Sequence, residues 1–396
     1  MRVMMLWEVT FCHITTQGLN EEVLMEYRFS EQQEMFRNQI RDFLEKECPR
    51  TLVKEIKQKK LDYTPELYHK MADLGWLGIM IPEEYGGIGG SWIDATILYE
   101  ELGQALAPIP HHSSVVIGGQ LIGAFGSDAQ KEELLPQIAK GEIILAFALT
   151  EPESGSELKL LTTKANADGK GYVLNGTKLF VNYAHIANYI ITVSQLADSN
   201  RVGVFLVKGQ EPGLSCTPLD TLSGERLCEV TLEEVRVSKE YLLPKLDENE
   251  KLKEAILRTK VLRCAEMVGN FQTALDMTID YSKQRIAYDH PIGFFQALQH
   301  KMVDMAIAIE GMRWLVYNTA WLNSQGIQAT KEAMMLQLQA WQLCDWLCMQ
   351  AIHINGAISL SQDHDLSMYW MRAKSMQLNL DSIESVKEVI AQEIGI

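Results

Sequence analysis

An α+β fold, with helices at both ends and a sheet between them, is predicted by three changes of period along the chain. Up to about residue 142, apolar residues recur at helical spacing. From Ile143 to Val237 they run as apolar or alternating segments punctuated by turn residues. After Pro244 the helical period returns and stays. At 396 residues, 47% of them hydrophobic, the chain can bury a large core. The predicted division is a helical domain over 25–142, a β-domain over 143–243 and a helical bundle over 244–396. Residues 1–24 read as an extension, disordered or started upstream, because recognisable pattern begins only at Met25.

In the first domain, Ser30 is an N-cap with acids in the following turn, and Met35, Phe36, Ile40, Phe43 and Leu44 make a helix to Cys48. A second helix over Thr64–Leu74 starts at Pro65, which suits a first turn. The loop from Gly86 to Gly90 holds four glycines in five positions; a phosphate cradle is one reading, but no G-K-[ST] follows and a Walker loop is excluded. Helical pattern continues over Ile93–Ala105, Ser114–Gly123 and Ala129–Ile138. The β-domain opens with the apolar run Ile143–Leu149, broken by Thr150-Glu151-Pro152-Glu153-Ser154-Gly155-Ser156. Alternation at Tyr172, Leu174, Leu179 and Val181 across Asn175-Gly176 predicts a hairpin. Further strands are predicted at Ile190–Val193, Val202–Val207 and Cys228–Val237, with turns at Asp198-Ser199-Asn200 and Pro212-Gly213. The last domain is a four-helix bundle: Lys251–Ile286, Gln296–Ser324, Thr330–Ile354 and Leu366–Leu380. Trp341–Met349 is apolar nearly all round, as a bundle-core helix should be.

Net charge is −16, from 52 acidic and 36 basic residues, which argues against a nucleic-acid surface and against attraction to anionic lipid. No apolar run reaches the roughly 18–20 residues needed to span a membrane. The N-terminal MRVMMLWEVTFCHI is interrupted by Glu8 and does not read as a signal peptide. Seven cysteines lie scattered without a paired framework, so a cytoplasmic location is expected. Cys344 and Cys348 could share a metal, but with no second ligand pair nearby they read as buried helix cysteines and no metal is expected.

The run Ala148-Leu149-Thr150-Glu151-Pro152 to Gly155-Ser156, then Tyr172-x-Leu174-Asn175-Gly176-x-Lys178-x-Phe180-Val181, resembles the flavin-contacting segment of the acyl-CoA dehydrogenase family. Gly75-Trp76-Leu77-Gly78 with Pro82-Glu83-Glu84-Tyr85-Gly86-Gly87 is similar to that family's N-terminal domain, and the likeness covers roughly residues 25–385. It implies helical, β and helical-bundle domains, FAD as cofactor, and oxidation of an acyl-CoA between Cα and Cβ. A carboxylate would take the α-proton while the β-hydrogen leaves as hydride to the flavin. Electrons would pass to an electron-transfer flavoprotein, and the assembly would be a homotetramer or a heterotetramer with a homologous subunit.

Residue by residue, the resemblance puts Phe147, Leu149 and Thr150 against the flavin ring, with Phe180 and Asn182 on its other side. Ser156 would lie beside both the flavin and the substrate's pantetheine. Strand core is the alternative reading of Phe147, Leu149 and Phe180, and the flavin contact is the one preferred. Arg285 opens Arg285-x-x-Tyr288-Asp289-x-Pro291-Ile292 and, with Gln296, would meet the dinucleotide phosphates across a subunit interface, as an arginine fork can. Asp289 stands where the family has glycine. His353 and Ala357 fall in a stretch that would pack on a neighbouring subunit's adenine, of whose three glycines only Gly356 remains. Lys260 would serve a CoA phosphate or the thioester carbonyl. The usual base position is Leu380 and the alternative one is Thr259, so Asp381 is the candidate base, with Asp94 as a second. His364, between two acids, reads as a helix N-terminus. Two other readings stay open: a base-deficient subunit of a heteromeric dehydrogenase, and an enoyl-CoA reductase.

Overall fold

The computed structural model describes residues 28–396 apart from 60, 62, 198, 200, 362 and 363. The expectations for residues 1–24, most of the turn at 198–200 and Asp363 therefore lie outside the described residues. The N-terminal helices are α1 (Glu31–Glu47), α2 (Arg50–Gln58), α3 (Pro65–Asp73), α4 (Trp92–Ala105), α5 (Gly119–Phe125) and α6 (Asp128–Ala139). Ser30 caps α1 with a capping box to Gln33, and Pro65 opens α3, as predicted. The short α2 escaped the sequence reading, because it runs for only nine residues and buries only Ile56. Ahead of α5 the segment His112–Gly118 is a π-helix, a rare wind that favours functional sites.

The glycine loop before α4 is a close-packing device. A Cβ on Gly87 would stand 1.9 Å from the Ile81 carbonyl oxygen, so the loop folds on its own chain. This replaces the phosphate-cradle reading.

The sheet comprises β1 (Leu145–Ala148), β2 (Lys164–Ala167), β3 (Gly171–Asn182), β4 (Tyr189–Leu196), β5 (Val202–Lys208), β6 (Leu214–Leu219) and β7 (Leu227–Ser238). Its order is β1-β4-β2-β3-β7-β6, with β5 pairing β4. β1 and β2 run parallel to β4, and the remaining pairs are antiparallel. The predicted hairpin at Asn175-Gly176 is overturned: β3 continues straight through it against β7. Gly176 marks a register shift where a Cβ would meet Thr163 Oγ1 at 2.4 Å, so this glycine serves a bulge and a close approach. Asn175 hydrogen-bonds Glu234 across the strands instead of turning.

The C-terminal helices are α7 (Asn249–Gln284), α8 (Gln296–Ser324), α9 (Thr330–Asn355), α10 (Leu366–Leu378) and α11 (Ile383–Glu393), with a small hairpin, β8 (Ile286–Ala287) and β9 (His290–Pro291), between α7 and α8. At the hairpin's turn Tyr288 and Asp289 both have positive φ, the conformation that explains why a glycine would suit position 289. α4 and α7 cross in close contact at Gly103 and Gly269, where a Cβ would stand 2.0 and 1.8 Å from backbone oxygens of Glu266 and Glu100. One buried cluster runs through both sets of helices and into β1, β4 and β5. Trp341–Met349 is not core all round: Cys344 and Leu347 are buried, while Trp346 and Met349 are exposed. Among the described residues no helix is long and apolar enough to cross a membrane, and no His/Cys/Asp/Glu cluster could hold a metal.

Candidate active site

Between the sheet and the helices lies a cavity of about 790 Å³. Its β-side wall is formed by Phe147, Leu149, Thr150, Ser156, Phe180 and Asn182. Chain direction explains the set. Ala146 and Ala148 of β1 are buried on one face, so the alternating Phe147 is turned to the other. Beyond β1 the chain folds back through reciprocal backbone hydrogen bonds between Glu151 and Gly155, at 2.8 and 3.1 Å.

Glu151 is the hub of that loop. Its carboxylate accepts from Ser154 Oγ (3.0 Å), Thr162 N (2.5 Å), Thr162 Oγ1 (2.8 Å), Thr163 N (3.0 Å) and Lys178 Nζ (2.7 Å). Lys178, with 0% exposure, also donates to the Leu149 carbonyl at 3.1 Å. Burial pushes the Glu151 carboxyl up, but the hydrogen bonds from Lys178, Thr163 and Thr162 outweigh it and bring it down to about 2. The sequence reading missed this pair. Its signal was a lysine in phase with Leu174 on the inward face of β3, which a solvent-facing lysine would not be.

Phe180 reaches the cavity by a strained route. Between Lys178 and Val181 the register of β3 against β7 slips, and Phe180 adopts φ 58°. A non-glycine residue held there costs on the order of 1–3 kcal/mol, and its ring is left 56% exposed. Asn182 Oδ1, beside it, is buried without a hydrogen-bond partner. An uncovered aromatic face and an orphaned acceptor on one wall are what a planar heterocycle with N–H groups would satisfy.

The helical wall carries Thr259, Lys260 and Arg263 of α7, Ser375 and Leu378 of α10, and Leu380 just beyond it. Lys260 Nζ lies 2.5 Å from Asp381 Oδ1. Asp381 itself does not line the cavity, and its backbone is held by Gln337 (3.0 Å) and Trp341 (2.7 Å). Asp94 is remote: it completes the capping box of α4 with Ser91 and accepts from Gln33, so its place is structural. Arg285, Gln296, His353 and Ala357 are exposed and none lines the cavity. His364 Nδ1 accepts from Leu366 N at the start of α10, the helix-terminus arrangement expected of it.

Deeper along α7 and α10 sits a buried charged quartet that sequence reasoning did not find. Glu266 accepts from Arg263 Nη1 (2.5 Å) and Arg372 Nη2 (2.8 Å), and Glu225 accepts from Arg372 and Ser375. Burial raises the Glu266 carboxyl, but Arg263 and Arg372 bring it down to about 2. Burial, then the Arg263 charge, lowers His112 well below an ordinary histidine. His112 Nε2–H donates to the Thr259 carbonyl at 3.2 Å.

The chain matches three family descriptions in order: the acyl-CoA dehydrogenase N-terminal domain over residues 30–142, the middle domain over 146–235 and the C-terminal domain over 251–395. It is 32% identical to a protein named probable acyl-CoA dehydrogenase YngJ from Bacillus subtilis, over 93% of this chain and 100% of that one. It is also 32% identical to the caffeyl-CoA reductase-Etf complex subunit CarC of Acetobacterium woodii, over 85% and 91% of the two chains. The solved structure of butyryl-CoA dehydrogenase from Megasphaera elsdenii superimposes with a TM-score of 0.86 at 26% identity, covering 93% of this chain and 100% of that one. With a cavity walled by a flavin-type loop on one side and helices on the other, the chain belongs to the acyl-CoA dehydrogenase family of oxidoreductases.

Proposed function

We propose that this chain binds FAD against the β-side wall and catalyses FAD-dependent α,β-oxidoreduction of an acyl-CoA thioester seated against the helical wall. The observation that carries this reading is the pairing of exposed, strained Phe180 with the orphaned Asn182 acceptor across from Lys260 and Leu380. Bound FAD supplies the hydride acceptor. The chain's own residues do the rest. Phe147, Leu149 and Phe180 would cover the ring, and Thr150, Ser156 and Asn182 would offer hydrogen bonds to its polar edge. With Asp381 as base, its Oδ1 would move past Lys260 Nζ into the cavity to take the α-proton while the β-hydrogen would leave as hydride to bound FAD; Lys260 Nζ, which holds that carboxylate at the cavity wall, would face the thioester carbonyl. Lys260 is the bridge here, because it lines the cavity and touches Asp381 at 2.5 Å.

Arg285, Gln296, His353 and Ala357 act, in this reading, on FAD held by a neighbouring subunit. Exposed apolar residues on α8 (Val303, Ile307, Trp314) and α9 (Met335, Trp346, Met349) support such an assembly, homotetrameric or with a homologous subunit. An electron-transfer flavoprotein is the proposed electron partner, and the location cytoplasmic.

A second reading, a base-deficient half-site completed by a homologous subunit, is favoured by one observation. Glu225, Glu266 and Asp381 are each already paired with an arginine or lysine. Asp381→Asn decides between them. With Asp381 as base, the FAD-loaded variant keeps its flavin but is no longer reduced by an acyl-CoA that reduces the parent protein. An unchanged rate of bleaching removes Asp381 as the base; a parent protein that holds FAD yet is bleached by acyl-CoA only after a homologous subunit is added favours the half-site.

A further inference from the structure

Arg263 is 6% exposed, lines the cavity, and spends one of its five N–H donors on a protein acceptor: Nη1 on Glu266. Its Nε is buried without a partner, and Nη2 has none among the described residues. A buried guanidinium with spare donors is costly against an apolar ligand, since each stranded donor forfeits its hydration with nothing in return. One turn back on the same face of α7, the Thr259 carbonyl accepts from His112 Nε2. That fixes the imidazole tautomer: with Nε2 carrying the proton, Nδ1 presents a lone pair, and it has no partner among the described residues. Burial beside Arg263 keeps His112 neutral, so the lone pair persists. The cavity wall thus offers donors on Arg263 and an acceptor on His112, whose ring is tied to the residue one helical turn from Arg263 on α7.

Charge narrows the choice of ligand further. Arg263 and Arg372 are balanced by Glu266 and Glu225. A carboxylate arriving here would be an uncompensated buried anion beside two others, a severe penalty. A plain alkyl or phenyl group would strand Arg263. A hydroxyl satisfies both sides, accepting from Arg263 and donating to His112 Nδ1.

We propose that the acyl group this cavity selects carries a hydroxyl, alcoholic or phenolic, beyond its reacting carbons, read by Arg263 and His112. This rests on the acyl-CoA reading above and deepens it. Arg263 lies about 4–6 Å along α7 from Lys260 and Thr259, at 1.5 Å rise per residue, so the hydroxyl sits past Cβ, clear of the α-proton and β-hydride. No covalent step is added: the hydroxyl is recognised, not transformed.

The test is binding, which needs no base. Phenylpropanoyl-CoA, its para-hydroxyphenyl counterpart and its para-carboxyphenyl counterpart are titrated against FAD-loaded protein, followed by heat of binding and by the shift of the flavin's visible band. The hydroxylated ester should bind at least about tenfold more tightly than the phenyl ester, the worth of one net hydrogen bond to a charged donor, and the carboxylated ester least well. Arg263→Met should erase the preference, leaving phenyl binding equal or tighter, because Glu266 keeps Arg372 as its partner. Arg263→Gln, which retains a donor, should keep part of it; His112→Phe should also reduce it. Equal or weaker binding of the hydroxylated ester by the parent protein overturns the proposal, as does a preference that survives Arg263→Met. Failure of all three esters to bind overturns the acyl-CoA reading together with it; binding of all three without preference overturns the hydroxyl alone.

Discussion

Each wall of the cavity buries ion pairs, but the β-side wall points its donors backwards and the helical wall points them forwards. Behind the β-side wall, Lys178 and Glu151 are both fully buried, and the lysine's remaining hydrogen bond goes to the Leu149 backbone. What the cavity sees is the consequence, a shaped loop with Thr150 and Ser156 on its surface. On the helical wall the ions themselves line the cavity, and Arg263 keeps donors in hand. In the proposed reading, one pair shapes the surface that would take the cofactor and the other is part of the surface that would meet substrate. The difference teaches that buried charge near a site must be read by where its unused valences face.

That comparison can be broken most forcefully at Lys178. Lys178→Met removes the one cation among the five donors to the buried Glu151 carboxylate and should cost about 3–5 kcal/mol, seen as a lowered denaturant midpoint, with loss of bound flavin as the loop relaxes. Adding Glu151→Leu should recover much of the stability but not the flavin, since the loop's hydrogen bonds go with the carboxylate.

Acid comes next. Glu151 and Glu266 are both held down to about 2 in the fold, against an ordinary carboxyl near 4.5. Their contribution is complete above that ordinary value and is lost as pH falls from about 4.5 towards about 2. Thermal melts should be flat from neutral pH to about 5 and fall steeply below; a flat profile down to pH 3 would contradict the ion-pair assignments.

Smaller effects separate structure from function. Asp94→Ala removes a capping-box partner and should cost about 1 kcal/mol, with acyl-CoA binding unchanged. Phe180→Gly should leave stability within about 1 kcal/mol, because a strained φ is relieved as the exposed ring is lost. Flavin retention should nonetheless fall, as measured by the flavin-to-protein absorbance ratio. Unaltered retention would sever Phe180 from the cofactor.

The helical parts were legible where local chemistry decides them. Ser30 and Pro65 announced helix starts, and α8 begins and ends where its periodicity does. The sheet was less so. Asn175-Gly176 carries a turn's composition, but tertiary packing against Thr163 used the glycine for proximity and overrode the turn. Trp341–Met349 looked like core because composition cannot tell a face buried within one chain from one left for another. In the site, the loop residues were legible from motif identity. The quartet was not, because Glu225 arrives from the β6–β7 loop, 147 and 150 residues from its partners Arg372 and Ser375, and charged residues on a helix read by default as solvated. The periodic signal was there: Ile256, Thr259, Arg263 and Glu266 follow one face of α7.

The most direct measurement is the visible spectrum of the purified, FAD-reconstituted protein during anaerobic addition of acyl-CoA esters, hydroxylated ones included. The account predicts a yellow protein whose flavin band shifts on binding and bleaches with a suitable ester. A protein that takes up no flavin, or whose flavin is unmoved by every CoA ester offered, would contradict it.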